Sequence, residues 1–167
     1  MDKVIRYSII FIAVMLLQIL IFNNIPAIGL ISPYLYLIFI LMLPVTMSPT
    51  LVLFLSFITG LIIDLSITSL GVHTSASVLM AFARPWILRV LAPRIGYETN
   101  NIPILAYFGT PWALKYTLAC VTIHHAMLYF CFTFSLESFG FLFIKMLINI
   151  ALTVMIIILT EFFVIKR

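Results

Sequence analysis

Residues 9–17 read IIFIAVMLL and residues 151–159 read ALTVMIIIL, two runs without a charged side chain. Of the 167 residues in the chain, 65% are hydrophobic and only 8% are charged, whereas a soluble domain carries roughly 25% charged residues. So few charges cannot cover a surface that faces water, and lipid is therefore the expected solvent. Because lipid offers the backbone no hydrogen bonds, a spanning segment must be a helix or part of a closed barrel. Barrel strands alternate apolar and polar residues and these runs do not, so the sequence predicts an all-α integral membrane protein.

Six segments of the chain, two of which contain these runs, qualify as candidate spans. A membrane helix ordinarily needs roughly 20 residues, and not every one of the six segments reaches that length. The candidate spans are 7–22, 34–46, 50–65, 72–91, 112–134 and 139–165. The second is short, and Pro44 and Pro49 interrupt the chain between it and the third. The sequence shows no internal repeat or second domain, so residues 1–167 are predicted to form a single transmembrane domain.

The positions of the basic residues favour six spans over five. Cytoplasmic loops beside spans carry an excess of Lys and Arg. The predicted inner segments hold basic groups, which are Lys3 with Arg6, Arg84 with Arg89 and Arg94, and Lys166 with Arg167. The alternate connections, 23–33, 65–73 and 135–138, hold no Lys or Arg. Six spans with both termini in the cytoplasm satisfy this pattern. We therefore attribute the net charge of +4 to membrane topology and to contact with anionic membrane lipid, and not to nucleic-acid binding.

Asp64 is the most informative single residue, because a carboxylate beside a membrane span costs free energy that increases with depth. Three interpretations are open: Asp64 caps or orients the turn that ends at Gly71, it pairs with Lys145 on the sixth span, or it is a proton or ion ligand. No second acidic residue shares its span, which disfavours transport chemistry. On the same span, Ser56 and Gly60 have the small-xxx-small spacing that lets membrane helices approach closely, so they predict a packing face.

For the remaining polar residues of the spans we expect structural roles rather than catalysis or metal binding. Lys145 and Glu161 are expected to extend toward the headgroups or to form ion pairs between helices. His124 and His125 point about 100° apart on a helix, so they cannot ligate one ion together, and a packing or hydrogen-bonding role is expected. His73 follows Gly71 in an outer loop and is expected to be solvated.

The stretch around Asp64 is also the most specific motif in the chain. Residues 57–65 read FITGLIIDL, Leu70-Gly71 follows, and residues 74–77 read TSAS. Together with Pro33 before the second span, this pattern resembles the rod-shape-determining protein MreD family, which has a Gly-Leu-x-x-Asp signature and a following Leu-Gly. The stretch 84–98, RPWILRVLAPRIGYE, resembles the version found in Bacteroidetes. The resemblance covers nearly the whole chain in length and span order, although Tyr34 stands where many relatives carry an acidic residue.

The resemblance implies a small protein of five or six spans in the inner (cytoplasmic) membrane, similar in fold to the substrate-binding membrane subunits of energy-coupling-factor (ECF) transporters. It implies a role in the cell-elongation complex that builds peptidoglycan. The implied partners are an MreC-like single-pass membrane protein, a RodA-type glycan polymerase with its class B transpeptidase, and MreB filaments. No catalytic residue comes with the family.

Two functions are therefore expected from this sequence. The first is a non-enzymatic scaffold that binds its partner through membrane helices. Its candidate structural and partner-binding residues are Pro33, Ser56, Gly60, Asp64, Gly71, Arg84, Arg89, Arg94 and Lys145. The second is a binding subunit for a small hydrophobic solute or vitamin, with Asp64, His73 and Asn149 as polar groups near the outer face. The sequence contains no phosphate-binding glycine loop, nucleophile–base arrangement or paired carboxylates, so we expect no catalytic residue, metal or cofactor.

Overall fold

The computed structural model describes residues 3–24, 32–94, 96–97, 102–132 and 139–165. Every regular element in these ranges is helical. The five long helices are α1 (Lys3–Leu20), α3 (Pro49–Ile67), α4 (Val72–Val90), α6 (Thr110–Phe132) and α7 (Phe139–Thr160), and the two short ones are α2 (Leu37–Leu41) and α5 (Leu105–Phe108). A 3₁₀ turn follows α1 and a π-helical turn follows α7. The predicted outer connection at 135–138, together with Lys166 and Arg167, lies outside the described residues.

Three helical segments are long and apolar enough to cross a membrane by length and composition, namely Ile5–Asn24, Pro49–Ile67 and Phe139–Phe163. The expectation of an all-helical chain with membrane-spanning helices is confirmed at this level. Helices α4 and α6 are of similar length but more polar, and they form the middle of the bundle, where α3 packs on α4, α4 on α6, and α6 on α7. A central helix turns its polar side chains toward protein rather than lipid, so it does not need to be uniformly apolar.

The boundaries of α3 and α4 follow from their local sequence. Ser48 precedes α3, its hydroxyl accepts a hydrogen bond from the backbone N–H of Leu51 at 3.4 Å, and Pro49 occupies the first helical position. Helix α3 ends where Thr68 adopts a left-handed backbone conformation with φ of 57°. Gly71, with φ of 81°, then directs the chain into α4, a conformation that favours glycine because it has no Cβ.

The segment 34–46 differs from the short helical span expected there. It contains only the five-residue α2, which is preceded by non-helical chain from Ser32 onward. Residues 33–43 are all buried, so this segment runs through the protein interior and does not face lipid. The N–H groups of Leu37, Ile38 and Phe39 bond within the segment, but the backbone groups before them need partners from other elements.

Candidate functional site

The carboxylate of Asp64 caps the N-terminus of α4. Oδ1 accepts hydrogen bonds from the Ser69 hydroxyl at 2.5 Å and from the backbone N–H of His73 at 3.0 Å. Oδ2 accepts from the backbone N–H of Thr74 at 2.8 Å and from its hydroxyl at 2.5 Å. The first N–H groups of a helix have no partner within it, and a negative charge is favourable there. Of the three interpretations of Asp64, the structure therefore supports the cap.

Lys145 does not contribute to this cap. Its ammonium nitrogen lies 5.8 Å from the centroid of the Phe141 ring, on its own helix. The four hydrogen bonds that Asp64 accepts all come from the connection to α4 and the first turn of that helix. The alternative in which Asp64 pairs with Lys145 is therefore not what the structure shows.

Gly60 lies one turn before Asp64, at the closest approach of α3 to α4. A Cβ atom at Gly60 would lie 2.5 Å from the Cα of Thr74 and 2.8 Å from the carbonyl oxygen of His73. Both contacts are with backbone, which cannot move aside as a flexible side chain does. Ser56, one turn earlier, is fully buried and donates to the carbonyl of Val52 at 2.8 Å. Thus the structure brings Gly60, Asp64 and Gly71 together at a single helix–helix junction.

His73 is buried, which corrects the expectation that it is solvated. It is the second residue of α4, and the cap by Asp64 holds that turn against the bundle. Its Nδ1 lies 3.3 Å from the hydroxyl of Tyr36, and the same hydroxyl lies 2.7 Å from Nε2 of His124 and 3.4 Å from Oγ of Ser77. Tyr36 is therefore the centre of a polar cluster that joins the segment before α2 to α4 and α6.

Tyr34 packs among the three histidines on the other side of this cluster. The centroid of its ring lies 5.1 Å from that of His73, 5.8 Å from that of His124 and 5.3 Å from that of His125. His125 also has Nδ1 at 2.9 Å from the carbonyl oxygen of Val121. The expected packing and hydrogen-bonding role of the histidine pair is confirmed by these contacts.

The chain at 32–36 is held by side chains rather than by a helix of its own. Gln18 of α1 accepts from the backbone N–H of Tyr36 at 3.3 Å and donates to the carbonyl of Pro33 at 3.3 Å. From α7, Asn149 accepts from the N–H of Ser32 at 2.6 Å and Thr153 accepts from the N–H of Tyr34 at 3.2 Å. Non-helical backbone is tolerated at membrane depth only where protein satisfies it, and these contacts meet that requirement.

Sequence reasoning did not identify Gln18, Tyr36 or Thr153 as important. The available signal was the presence of polar side chains inside strongly apolar spans, since Gln18 lies in α1 and Thr153 in α7. Such residues usually face the protein interior and bond to a partner there. The identity of that partner, the segment at 32–36, depends on contacts between distant parts of the chain.

Arg84 is buried within α4, which corrects its assignment to a basic cluster facing the cytoplasm. Its Nε donates to the hydroxyl of Tyr116 at 2.7 Å, and its Nη2 donates to the carbonyl of Leu43. Arg89 and Arg94 are exposed. The three arginines therefore do not form one surface, because Arg84 faces the bundle interior.

Glu161 is buried as well, so the expectation that it extends toward the headgroups is wrong. Its carboxylate accepts from the backbone N–H of Leu105, the first residue of α5, at 2.8 Å. This contact ties the end of α7 to the chain that precedes α6.

The chemistry available in the interior is hydrogen bonding. Across the described ranges no group of three His, Cys, Asp or Glu side chains has an arrangement that could hold a metal ion. Among the same residues, two buried side-chain atoms lack a hydrogen-bond partner, Oγ1 of Thr117 and Nδ1 of His124. A polar pocket of about 130 Å³ lies beside the cluster, lined by Gln18, Asn23 and Tyr34 among others.

Comparisons of the chain with models of protein families, with curated proteins and with solved structures find no match.

Proposed function

We propose that this chain is a non-enzymatic membrane scaffold of the MreD type, which acts in the peptidoglycan-building cell-elongation complex of the inner membrane. The observation that carries the proposal is that the interior polar side chains bond to the chain itself. Asp64 caps α4, Tyr36 joins two histidines, and Arg84 connects α4 to Tyr116. These hydrogen bonds connect one helix to another and stabilise the helix packing.

The outer faces of α1 and α7 support binding to partner helices. On α1, large apolar side chains recur at helical spacing on one exposed face, at Ile5, Ile9, Ile12, Leu16 and Leu20. On α7 the exposed face includes Phe141, Ile144, Met155 and Leu159. Association of helices in lipid depends on close packing, and a single-pass protein of the MreC kind offers one helix for such a face.

The proposed topology has six crossings, with both termini in the cytoplasm. The five long helices supply five of them, and residues 32–43 supply the sixth, the second crossing in chain order. Residues 32–34, the turn at 35–36 and the short α2 together cover about 20 Å at most, given rises of about 3.3 Å per extended residue and about 1.5 Å per residue in a helical turn. This length is shorter than the roughly 30 Å of the hydrocarbon core. In the proposed topology the exposed Arg89 and Arg94 lie on the side that is rich in basic residues.

Depletion of the protein in its source cell is the direct test of the elongation role. We expect depleted cells to lose rod shape and to become round, because the scaffold would no longer hold the synthesis complex together. Re-expression of the wild-type chain from a second locus serves as the control and should restore the shape. Normal morphology after complete depletion would refute the role.

Association with the partner is tested at the exposed arginines, since Arg84 is needed inside the fold. We expect the double variant Arg89→Glu and Arg94→Glu to fold but to lose most of its co-purification with the MreC-like protein. A matched variant with both arginines changed to Lys keeps the charge and should co-purify normally. If the double Glu variant co-purified with as much of the MreC-like protein as the wild type does, this end of the protein would not be the binding site for that partner.

The alternative function, a binding subunit for a small hydrophobic solute or vitamin, fits the ECF-like fold that the family resemblance implies. One observation that bears on it is the polar pocket beside Tyr34, whose volume is about 130 Å³. Pockets for molecules of drug size measure roughly 300–1,000 Å³, so this one is too small for a vitamin. Native mass spectrometry of the purified protein distinguishes the two functions, because a stoichiometric bound vitamin would favour the alternative.

A further inference from the structure

Arg84 is a charged side chain in the protein interior that lacks a counter-charge. It is 2% exposed, and its guanidinium donates to two neutral oxygens, those of the Tyr116 hydroxyl and the Leu43 carbonyl. Within the part of the chain that the structure describes, no carboxylate pairs with it, and the buried carboxylate of Glu161 accepts instead from the N–H of Leu105. A buried charge is unfavourable unless it is paired, so an anion from outside the chain would complete this site.

A cavity of about 280 Å³ opens onto Arg84. Its other walls are one face of α4 and the turn at 45–48, and it reaches Ser48 and Pro49 at the start of α3. The N-terminus of a helix carries a partial positive charge, so this end of α3 adds to the potential of the guanidinium. The cavity is smaller than the roughly 300–1,000 Å³ of pockets for drug-sized molecules, which suits a compact anionic headgroup.

An apolar groove of about 670 Å³ borders the same turn. Its walls come from α1, α2 and α3, and Leu51, Leu55 and Ile58 line it along one face of α3. Met47 lines both the cavity and the groove, so the two are neighbours on either side of its side chain or along it. A cationic cavity that adjoins an apolar groove along a helix matches a ligand with one anionic end and one apolar chain.

We propose that the cavity at Arg84 and the adjoining groove bind one anionic phospholipid, with its phosphate against the guanidinium and an acyl chain between α1 and α3. A zwitterionic lipid would fill the groove equally well but would bring a second cation to the cavity. A free phosphate would supply the negative charge without the chain. The charge and the chain should therefore both contribute to affinity, whether or not the protein acts in cell elongation.

The test uses the purified full chain in a neutral detergent. Binding is titrated by native mass spectrometry with three probes, which are dioctanoyl phosphatidylglycerol, dioctanoyl phosphatidylcholine and glycerol 3-phosphate. We expect phosphatidylglycerol to bind about tenfold more tightly than phosphatidylcholine, because one charge-assisted hydrogen bond contributes about that factor to the affinity. Glycerol 3-phosphate should bind about a hundredfold more weakly than phosphatidylglycerol, because it leaves the groove empty.

Two variants obstruct the site and leave Arg84 in place, since replacing Arg84 itself risks misfolding. Ala81→Leu puts a larger side chain into the cavity, and Ser8→Trp puts one into the groove. We expect each to weaken phosphatidylglycerol binding by about fivefold or more. Arg89→Gln removes an exposed charge from the same helix and should bind like the wild type. Thermal unfolding of all three variants checks that they are folded.

Several outcomes would overturn the proposal. Equal affinity for the two lipids, or a loss in Arg89→Gln as large as in Ala81→Leu, would assign the attraction to general surface charge. Glycerol 3-phosphate binding as tightly as phosphatidylglycerol would identify a free phosphate as the ligand. Unchanged lipid affinity in Ser8→Trp would show that no lipid chain occupies the groove and that a partner helix is the better candidate for that surface.

Discussion

Replacing Asp64 with Asn should strongly destabilise the α3–α4 junction, although the two side chains have nearly the same size. The carboxylate accepts four hydrogen bonds, two at each oxygen. An amide accepts at one oxygen, and its NH₂ group would face the remaining two donors. A hydroxyl of Ser69 or Thr74 can rotate and accept from this group, but a backbone N–H cannot. One N–H, of either His73 or Thr74, therefore loses its partner in either orientation of the amide.

The expected magnitude follows from this geometry. A buried donor left without a partner costs about 1–3 kcal/mol. Loss of the negative charge at the helix N-terminus adds about 0.3–1 kcal/mol, or up to about 2 kcal/mol where the site is partly buried. We therefore expect Asp64→Asn to lower the free energy of unfolding by about 2–4 kcal/mol. Ser69→Ala removes only a hydroxyl donor and should lower it by about 1 kcal/mol.

Titration of the purified chain with a denaturing detergent, followed by circular dichroism, measures these differences. Lys145→Gln is the matched control, because it removes the charge that would matter if Asp64 formed an ion pair with Lys145. It should change the free energy of unfolding by less than about 0.5 kcal/mol. The cap would be refuted if Asp64→Asn were as stable as the wild type, or if Lys145→Gln lost as much stability as Asp64→Asn.

Two further substitutions test the packing and the polar cluster. Gly60→Ala places a Cβ atom 2.5 Å from the Cα of Thr74 and should lower the free energy of unfolding by about 1–3 kcal/mol in the same titration. At the control position Gly140 nothing lies within 4 Å, so Gly140→Ala should be neutral or slightly stabilising. Equal effects of the two substitutions would contradict the close approach of α3 to α4. Tyr36→Phe removes the hydroxyl beside His124 and should cost about 1–3 kcal/mol, and an unchanged stability would show that the cluster does not hold the fold together.

The long helices could be predicted because a continuous apolar run of sufficient length has few alternatives in lipid. The third predicted span, 50–65, lies within α3, and the fourth, 72–91, corresponds to α4 with a difference of one residue at its end. In each case the limits are set by local chemistry, namely Pro49 at the start of α3 and Gly71 before α4. Local chemistry of this kind is visible in the sequence itself.

The segment at 34–46 could not be predicted in the same way. Its apolar content is that of a helix, but its conformation is determined by Gln18, Asn149 and Thr153, which lie on other elements. Pro33 and Pro44 were the local signs of an irregular backbone. The contacts made by Asn149 and Thr153 span more than 100 residues, and such contacts have no signature in a hydropathy pattern.

His73 and Arg84 were predicted to be exposed, and this prediction was wrong for a related reason. A histidine after a turn and an arginine near a helix end ordinarily lie at the surface, so their neighbours in sequence indicate exposure. Their burial depends on Tyr36 and Tyr116, hydroxyl groups that distant segments bring into the bundle. The sequence shows that such polar residues exist inside apolar spans, but it does not show which of them meet.

The way in which the chain at 32–36 is held has a consequence for biogenesis. Its backbone N–H groups bond to Gln18 on α1 and to Asn149 and Thr153 on α7. During synthesis this segment leaves the ribosome after Gln18 but more than 100 residues before Asn149 and Thr153, so it lacks the two acceptors of α7 when it first reaches the membrane. Unsatisfied backbone is too costly in lipid for the segment to insert alone. We therefore expect this early segment to take its place in the bundle only after α7 has arrived.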